Sequence, residues 1–364
     1  MDGPRPPNPA EYSRILDFLN RNLRGQQNWS IANEYPTALG ETNLGNIRII
    51  KENDEILSHA VLRPLLVKSA LGIFKVAAIG SVVTAPDYRN HGLSRRIVED
   101  CLNASRAQGC DFAILWTNLY EFYRKFDFEL AGSEISFVID KDLPVTSSEF
   151  RFVEGPAVDP EPLLRLFSQH TVSTIRTFDE TRRYLQIPNS RVFTAWDSTG
   201  NLRAYAIEGK GADLQGYVHE WGGGVSALIP LLQYMRTSLK KPLTIIVPAH
   251  AQNLRTQLSQ YGVKEVSGFL GMIKILNAPS LFGKILRFAR TDLGISEFVF
   301  EQRQNKYYFG VGKNLFCTDS EQDIIKLMFG PLTPNEIHKF DPATAEVMNK
   351  IFPIPMWIWG WDSV

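Results

Sequence analysis

Apolar residues at Ile15, Leu16, Leu19 and Leu23 recur at the spacing of one helix face, which predicts an amphipathic helix over residues 11–24. Strand-like runs follow at 46–50, 56–66 and 74–84, with Glu52-Asn53-Asp54 as the turn between the first two. Three strands with no helix between them predict an antiparallel meander. The rhythm then changes to a turn at 85–92, a helix at 93–108, a strand at 112–117, a helix at 120–126 and a closing strand at 133–139. This order describes an α/β fold of α+β type: a mixed sheet with a strand–loop–helix–strand unit at its centre.

Residues 141–149 are polar and contain Pro144, the composition of a linker. Beyond them the element types recur: helix 162–169, strands 192–196, 204–208 and 216–221, helix Val225–Leu239, strand 243–247, helix 253–261 and strand 268–275. Setting Phe126-Asp127-Phe128 beside Tyr261-Gly262-Val263 aligns a helix, a tight turn and a terminal strand in both halves, so the fold reads as duplicated. After Pro279 come a strand pair, 298–302 and 307–311, and a helix Glu321–Phe329 stopped by Gly330-Pro331. The expected units are 1–145, 146–277 and 278–364.

At 364 residues the chain exceeds what one core usually supports, which agrees with several units. Lysine plus arginine equals aspartate plus glutamate, 39 against 39, so the basic footprint of a nucleic-acid partner is missing. Cys101, Cys110 and Cys317 lack pair spacing, and the six histidines show no ligand spacing. Reduced thiols in a cytoplasmic protein and no metal are therefore expected. No apolar run reaches the roughly 18 residues of a membrane span, and residues 1–10 do not read as a secretory signal.

Arg89-Asn90-His91-Gly92-Leu93-Ser94 sits between a strand and a helix, where unpaired amides and the positive end of a helix dipole converge. Gly92 can take a backbone conformation closed to other residues, Ser94 is small, and Arg89, His91 and Arg95 add positive charge, so the loop can cradle a diphosphate. Taken alone it also reads as a solvated helix start. The run from Val82-Val83-Thr84 through Pro86-Asp87-Tyr88-Arg89 to Gly92, Ser94 and Ile97 resembles the GCN5-related N-acetyltransferase (GNAT) superfamily, with serine in place of the second Gly or Ala. The resemblance implies acetyl-coenzyme A as co-substrate and a coenzyme site built from Arg89, Asn90, His91, Gly92, Leu93, Ser94 and Arg95. It further implies pantetheine pairing by the amides of Val82, Val83 and Thr84, and Asn118 beside the gap between splayed strands.

Residues 121–128 resemble the superfamily's Tyr-x-x-x-Gly-Phe segment, which implies Tyr123 as general acid, with Asp127 replacing the glycine. Tyr123 also reads as a core tyrosine. The second repeat carries Leu258 at the matching position and Gly222-Gly223-Gly224 without the arginine, so it is expected to be catalytically silent. Tandem folds plus a small last domain resemble the enhanced-intracellular-survival acetyltransferase group, which implies a sterol-carrier-like C-terminal domain and a terminal carboxylate acting as base. Here that is Val364, with Asp362 as the alternative; the apolar tail, where Trp357, Trp359 and Trp361 alternate as on a strand, could equally serve packing alone. Glu34 reads either as a cleft residue or as a loop or cap residue.

The expected activity is transfer of acetyl to a primary amine of a small molecule by direct attack in a ternary complex. The alternatives are a tRNA-dependent aminoacyl transferase of similar tandem fold and a non-catalytic acyl-coenzyme A-binding protein. The acceptor, the acyl length and homo-oligomerisation stay open.

Overall fold

The computed structural model describes residues 1–145 and 149–364, so part of the expected 141–149 linker lies outside the described residues. The meander forms as expected, from antiparallel strands Ile47–Glu52, Glu55–Ser69 and Gly72–Thr84. Strand Gly72–Thr84 then pairs in parallel with Phe112–Leu115 across the helix Leu93–Ala107. Leu93, Ile97, Val98, Cys101 and Leu102 line the face that this helix buries on the sheet, a stripe at helical spacing. The second repeat repeats the plan with strands Arg191–Trp196, Leu202–Lys210 and Asp213–Gly223, helix Val225–Leu239 and parallel strand Leu243–Pro248.

The duplicated turns superimpose in backbone terms. Asp127 and Gly262 both have left-handed φ, 62° and 64°, and the next residue returns its amide to the helix in each: Phe128 to Tyr123 and Val263 to Leu258. An aspartate tolerates this conformation better than most side-chain-bearing residues.

One expectation is corrected here. The segment at 133–139 does not close the first sheet, and 268–275 is not one strand of the second. Glu134–Ile139 inserts between Leu243–Pro248 and Lys264–Gly268 of the second sheet. Gly271–Ile275 inserts between Phe112–Leu115 and Glu129–Ala131 of the first. The repeats thus exchange their last strands reciprocally. Each inserted strand satisfies the polar edges of two host strands that would otherwise face solvent or apolar packing. One apolar cluster consequently runs from Phe74 and Phe112 through Phe137 and Phe193 to Trp359.

The last segment contains helix Ala278–Thr291, a three-stranded antiparallel sheet, and helices Glu321–Phe329 and Pro342–Ile351. The third strand, Asn314–Thr318, and the first and last of these helices add to the expected elements. The tryptophan tail is also corrected: it is an extended, unpaired segment ending in a 3-10 turn at Gly360–Asp362. It packs against the second repeat, with Trp359 fully buried against Phe167, His170 and Trp221.

A buried ionic group fixes that packing. Arg176 donates to Glu220 at 2.6 and 2.7 Å and to Asp362 at 3.0 and 2.7 Å, and its guanidinium lies 3.7 Å from the Phe167 ring centre. Asp362 also accepts from Thr174 and, at 3.2 Å, from Tyr184. The Arg63 guanidinium lies 3.5 Å away and donates to the Tyr184 hydroxyl at 2.6 Å. Removing one member of such a group leaves an uncompensated charge in a dry site. Asp362→Ala is therefore expected to cost about 3 kcal/mol of stability, read as a lower midpoint in urea unfolding.

Candidate active site

Pairing between Gly72–Thr84 and Phe112–Leu115 ends at Ala78 and Ile114, although the longer strand continues for six residues. The two strands therefore splay. Just beyond, Gly72–Thr84 carries a bulge: His59 pairs with Val83 and Val61 with Gly80, so Ala60 faces both Ser81 and Val82. Ser81 has φ +48°. Buried His59 donates from Nδ1 to the Ser81 carbonyl at 2.8 Å, which pins the extra residue, and burial pushes its pKa down to about 4, so the ring stays neutral. The sequence reading missed His59, since a lone histidine in a strand carries no local signal.

At the far end of the strand the expected loop residues come together. Gly92 caps helix Leu93–Ala107 at φ 75°, ψ 4°, and Asn90 is also left-handed at φ 64°. No side chain caps this helix, so its first amides keep their donors free of such a partner. A Cβ at Gly92 would meet nothing within 4 Å, which makes the backbone conformation, and the open approach it provides, the reason for glycine. Arg89, Asn90, His91 and Arg95 are exposed around this opening, with Arg95 Nε 2.9 Å from Glu99, while Leu93 is buried beneath it. Ser94 faces inward: its hydroxyl is 2.8 Å from that of Thr84, which lies 2.9 Å from that of Ser58. Loop, helix and strand are thereby tied. Ala85 donates its amide to Leu57 at 2.8 Å, and ladder amides alternate, so those of Val83 and Thr84 point to opposite sides. Asn118 is exposed two residues beyond the Trp116 that lines the cleft.

The two expected chemical groups approach the splay from opposite faces. Tyr123 is buried with Ile79 and Leu115 on the side of helix Leu93–Ala107, edge-on to Phe122 and Phe128. Desolvation pushes its phenol up to about 12, which keeps the proton on oxygen. On the other face lies Val364: a Cβ at Gly80 would sit 2.5 Å from its carboxyl carbon and 2.7 Å from the oxygen, so only glycine admits the tail there. Asp362, the alternative base, is spent on Arg176 and Arg63, which hold its carboxyl below the usual range despite burial. Glu34 lies outside the cleft, fully buried and bound by Arg24 and Trp29.

A cavity of about 330 Å³ adjoins the tail, with Tyr35, Trp116 and Trp357 as aromatic walls and Glu134, Asp213 and Val364 as acidic ones. Asp213 is paired to Arg24 at 2.8 Å and bonded to the Tyr35 hydroxyl. Glu134 sits at the start of an exchanged strand, where desolvation alone pushes its pKa up to about 7. Among the described residues no three His, Cys, Asp or Glu side chains group as a metal site, and no helix is long and apolar enough to cross a membrane.

Comparison with known proteins agrees with this geometry. Over nearly full length the fold matches a GCN5-related N-acetyltransferase from Anabaena variabilis ATCC 29413, with TM-score 0.68, 13% identity and 99% of each chain covered. It likewise matches one from Kribbella flavida, with TM-score 0.65, 14% identity and 97% of each chain covered. Eis1 from Mycobacterium abscessus aligns over 100% of both chains at TM-score 0.63 and 12% identity. The fold is thus that of tandem GNAT-like acyltransferases. Residues 4–131 match the family model described as the acetyltransferase (GNAT) domain. The protein is an acetyltransferase, and acetyl-coenzyme A-dependent N-acetylation is its general kind of reaction. No curated protein matches the sequence.

Glu134 provides a pH test. Its folded pKa of about 7 exceeds the ordinary 4.5, so between those values the folded state holds a proton that the unfolded chain has released. Stability contributed by the protonated form is therefore lost as pH rises through that window. Glu134→Gln should flatten this part of the curve of melting temperature against pH; an unchanged slope would assign the titration elsewhere.

Proposed function

We propose that the first repeat moves an acetyl group from acetyl-coenzyme A to a primary amine of a small molecule, by direct attack within a ternary complex. The observation that carries this reading is the splay beside Gly80, which has an uncapped helix start at one end and the Val364 carboxyl at the other. The fit rests on chain features: free first-turn amides, a left-handed Gly92 with open space around it, and exposed basic side chains at Arg89, His91 and Arg95. When bound, the coenzyme supplies an activated acyl carbonyl.

The roles then divide by position. Amides from Gly92 to Arg95 hold the diphosphate, with Asn90 shaping the loop and Leu93 anchoring it. Along the strand, Thr84 and bulged Val82 offer amides to the open side, while Val83 faces the neighbouring strand; Asn118 borders the exit of the splay. The Val364 carboxylate takes the proton of the incoming ammonium, and Tyr123 Oη keeps a proton for the departing sulfur. The second repeat contributes no acid, since Leu258 occupies the place of Tyr123. The units 1–145, 146–277 and 278–364 fit this division of labour, with the exchanged strands joining the first two.

Three measurements test the reading. Gly92→Glu should abolish the heat of coenzyme A binding, because a carboxylate would stand where the diphosphate goes. Tyr123→Phe should lower kcat about a hundredfold with coenzyme affinity unchanged. A short charged extension after Val364 should cut thiol release from acetyl-coenzyme A, with the acceptor taken from a panel of aminoglycosides, polyamines, amino sugars and lysine peptides. Wild-type turnover in the tyrosine or extended variant would remove that group from the mechanism. Full coenzyme binding by Gly92→Glu would remove the cradle.

A further inference from the structure

The two repeats share a defect at matching places. In the second, Ile207 pairs with Glu220 and Glu208 with Val218, so His219 is the extra residue, as Ser81 and Val82 share one partner in the first. The parallel neighbour again stops pairing just before the bulge, at Val218 and Ile245. In the first repeat the ground beyond the bulge is the candidate coenzyme cleft. In the second it is occupied by the chain itself.

Gly360 lies on the bulge so closely that a Cβ would come within 2.0 Å of His219 Nδ1. The next residue, Glu220, is fully buried, with Arg176 on its carboxylate and the backbone amide of Trp361 directed at it. Trp221 meets Trp359 edge-on at 5.2 Å, and its Nε1 donates across the splay to the Ile246 carbonyl at 3.1 Å. From the adjoining strand Lys210 reaches over the tail and donates to the carbonyls of Gly360 at 2.9 Å and Ser363 at 2.7 Å. Its Nζ is also 3.2 Å from the Ser363 hydroxyl and 4.5 Å from the Tyr35 ring centre. Among the described residues no carboxylate pairs with this lysine; its hydrogen-bond partners are the tail's own oxygens.

We propose that the second repeat has become a receptor for the chain's own C-terminal segment, held in the cleft that matches the first repeat's acyl-donor cleft, and that Lys210 is the positioning residue that aims the Val364 carboxyl at Gly80. The catalytic part of this rests on Val364 as proton acceptor. The receptor part stands on the contacts alone.

Lys210→Met keeps the unbranched aliphatic stem and removes its donors. It should lower kcat about tenfold or more through misplacement of the carboxylate, while coenzyme A affinity by calorimetry stays within about twofold. It should also speed hydrogen exchange at residues 357–363. Wild-type kcat together with wild-type exchange overturns the proposal, and so does a loss of kcat that the affinity loss fully accounts for. If Lys210→Met does not fold, Gly360→Ala decides: it should slow turnover, and His219→Ala in the same chain should restore it by making room for the new methyl group. Gly360→Ala with unchanged turnover and exchange, or a loss that the second change fails to relieve, overturns the assignment. An extension of Val364 that leaves turnover intact would sink the base and not the receptor, which is then judged by exchange at 357–363 in the Lys210 variant.

Discussion

A guanidinium with almost no access to water must find its counter-charges inside the protein, and Arg176 finds them on two distant parts of the chain: Glu220 in the second repeat and Asp362 near the end of the tail. Two carboxylates on one cation would leave the site negative. Arg63, reaching in from the first repeat and shared with Glu180 at 3.3 Å, brings a second positive charge to Asp362. The three segments thus meet in one buried ionic group, to which the tail contributes Asp362, the second repeat Arg176 and Glu220, and the first repeat Arg63. Such a group adds little net stability compared with apolar packing, but it penalises any arrangement in which the tail lies elsewhere.

Strand exchange imposes a second condition of the same kind. Glu134–Ile139 and Gly271–Ile275 are each hydrogen-bonded on both sides to strands of the other repeat, so neither sheet is complete without its neighbour. The crossing brings Glu134 to the rim of the cavity beside Trp116, whose indole donates to Leu270 at the opposite crossing. Cavity walls from both repeats are therefore products of the exchange rather than of a loose contact between finished domains. That geometry explains how a repeat without a recognisable coenzyme loop still shapes the working cleft.

The legible parts of the fold were those written locally. Helix spacing marked Tyr12–Leu23, glycine and aspartate marked the left-handed turns at Gly92 and Asp127, and the loop from Arg89 to Ser94 stood out because its residues are adjacent. The exchange was invisible because a strand's pattern of alternating burial fits either sheet; only pairing decides which. Alternating tryptophans looked like a strand for a related reason: an extended segment between two surfaces also alternates its contacts, with no ladder required. His59, Arg176 and Lys210 were missed because each works through a partner far away in sequence, at Ser81, Asp362 and Ser363. A single basic residue gives no local sign of that.

How closely the tail fixes a carboxylate can be argued from chain geometry. An extended chain covers at most about 3.6 Å per residue, so a group two residues past an immobile anchor sweeps a sphere of roughly 7 Å radius. Asp362 is such an anchor, and alone it would leave the Val364 carboxyl free to wander over much of the cavity. Holding the Ser363 carbonyl as well, as Lys210 does, shortens the leash to one residue and about half that radius. The remaining freedom is removed on the other side, where the Val364 carboxyl rests on Gly80 with no room for a Cβ. The position of the carboxyl thus follows from two anchors and one missing side chain, contributed by three different parts of the molecule.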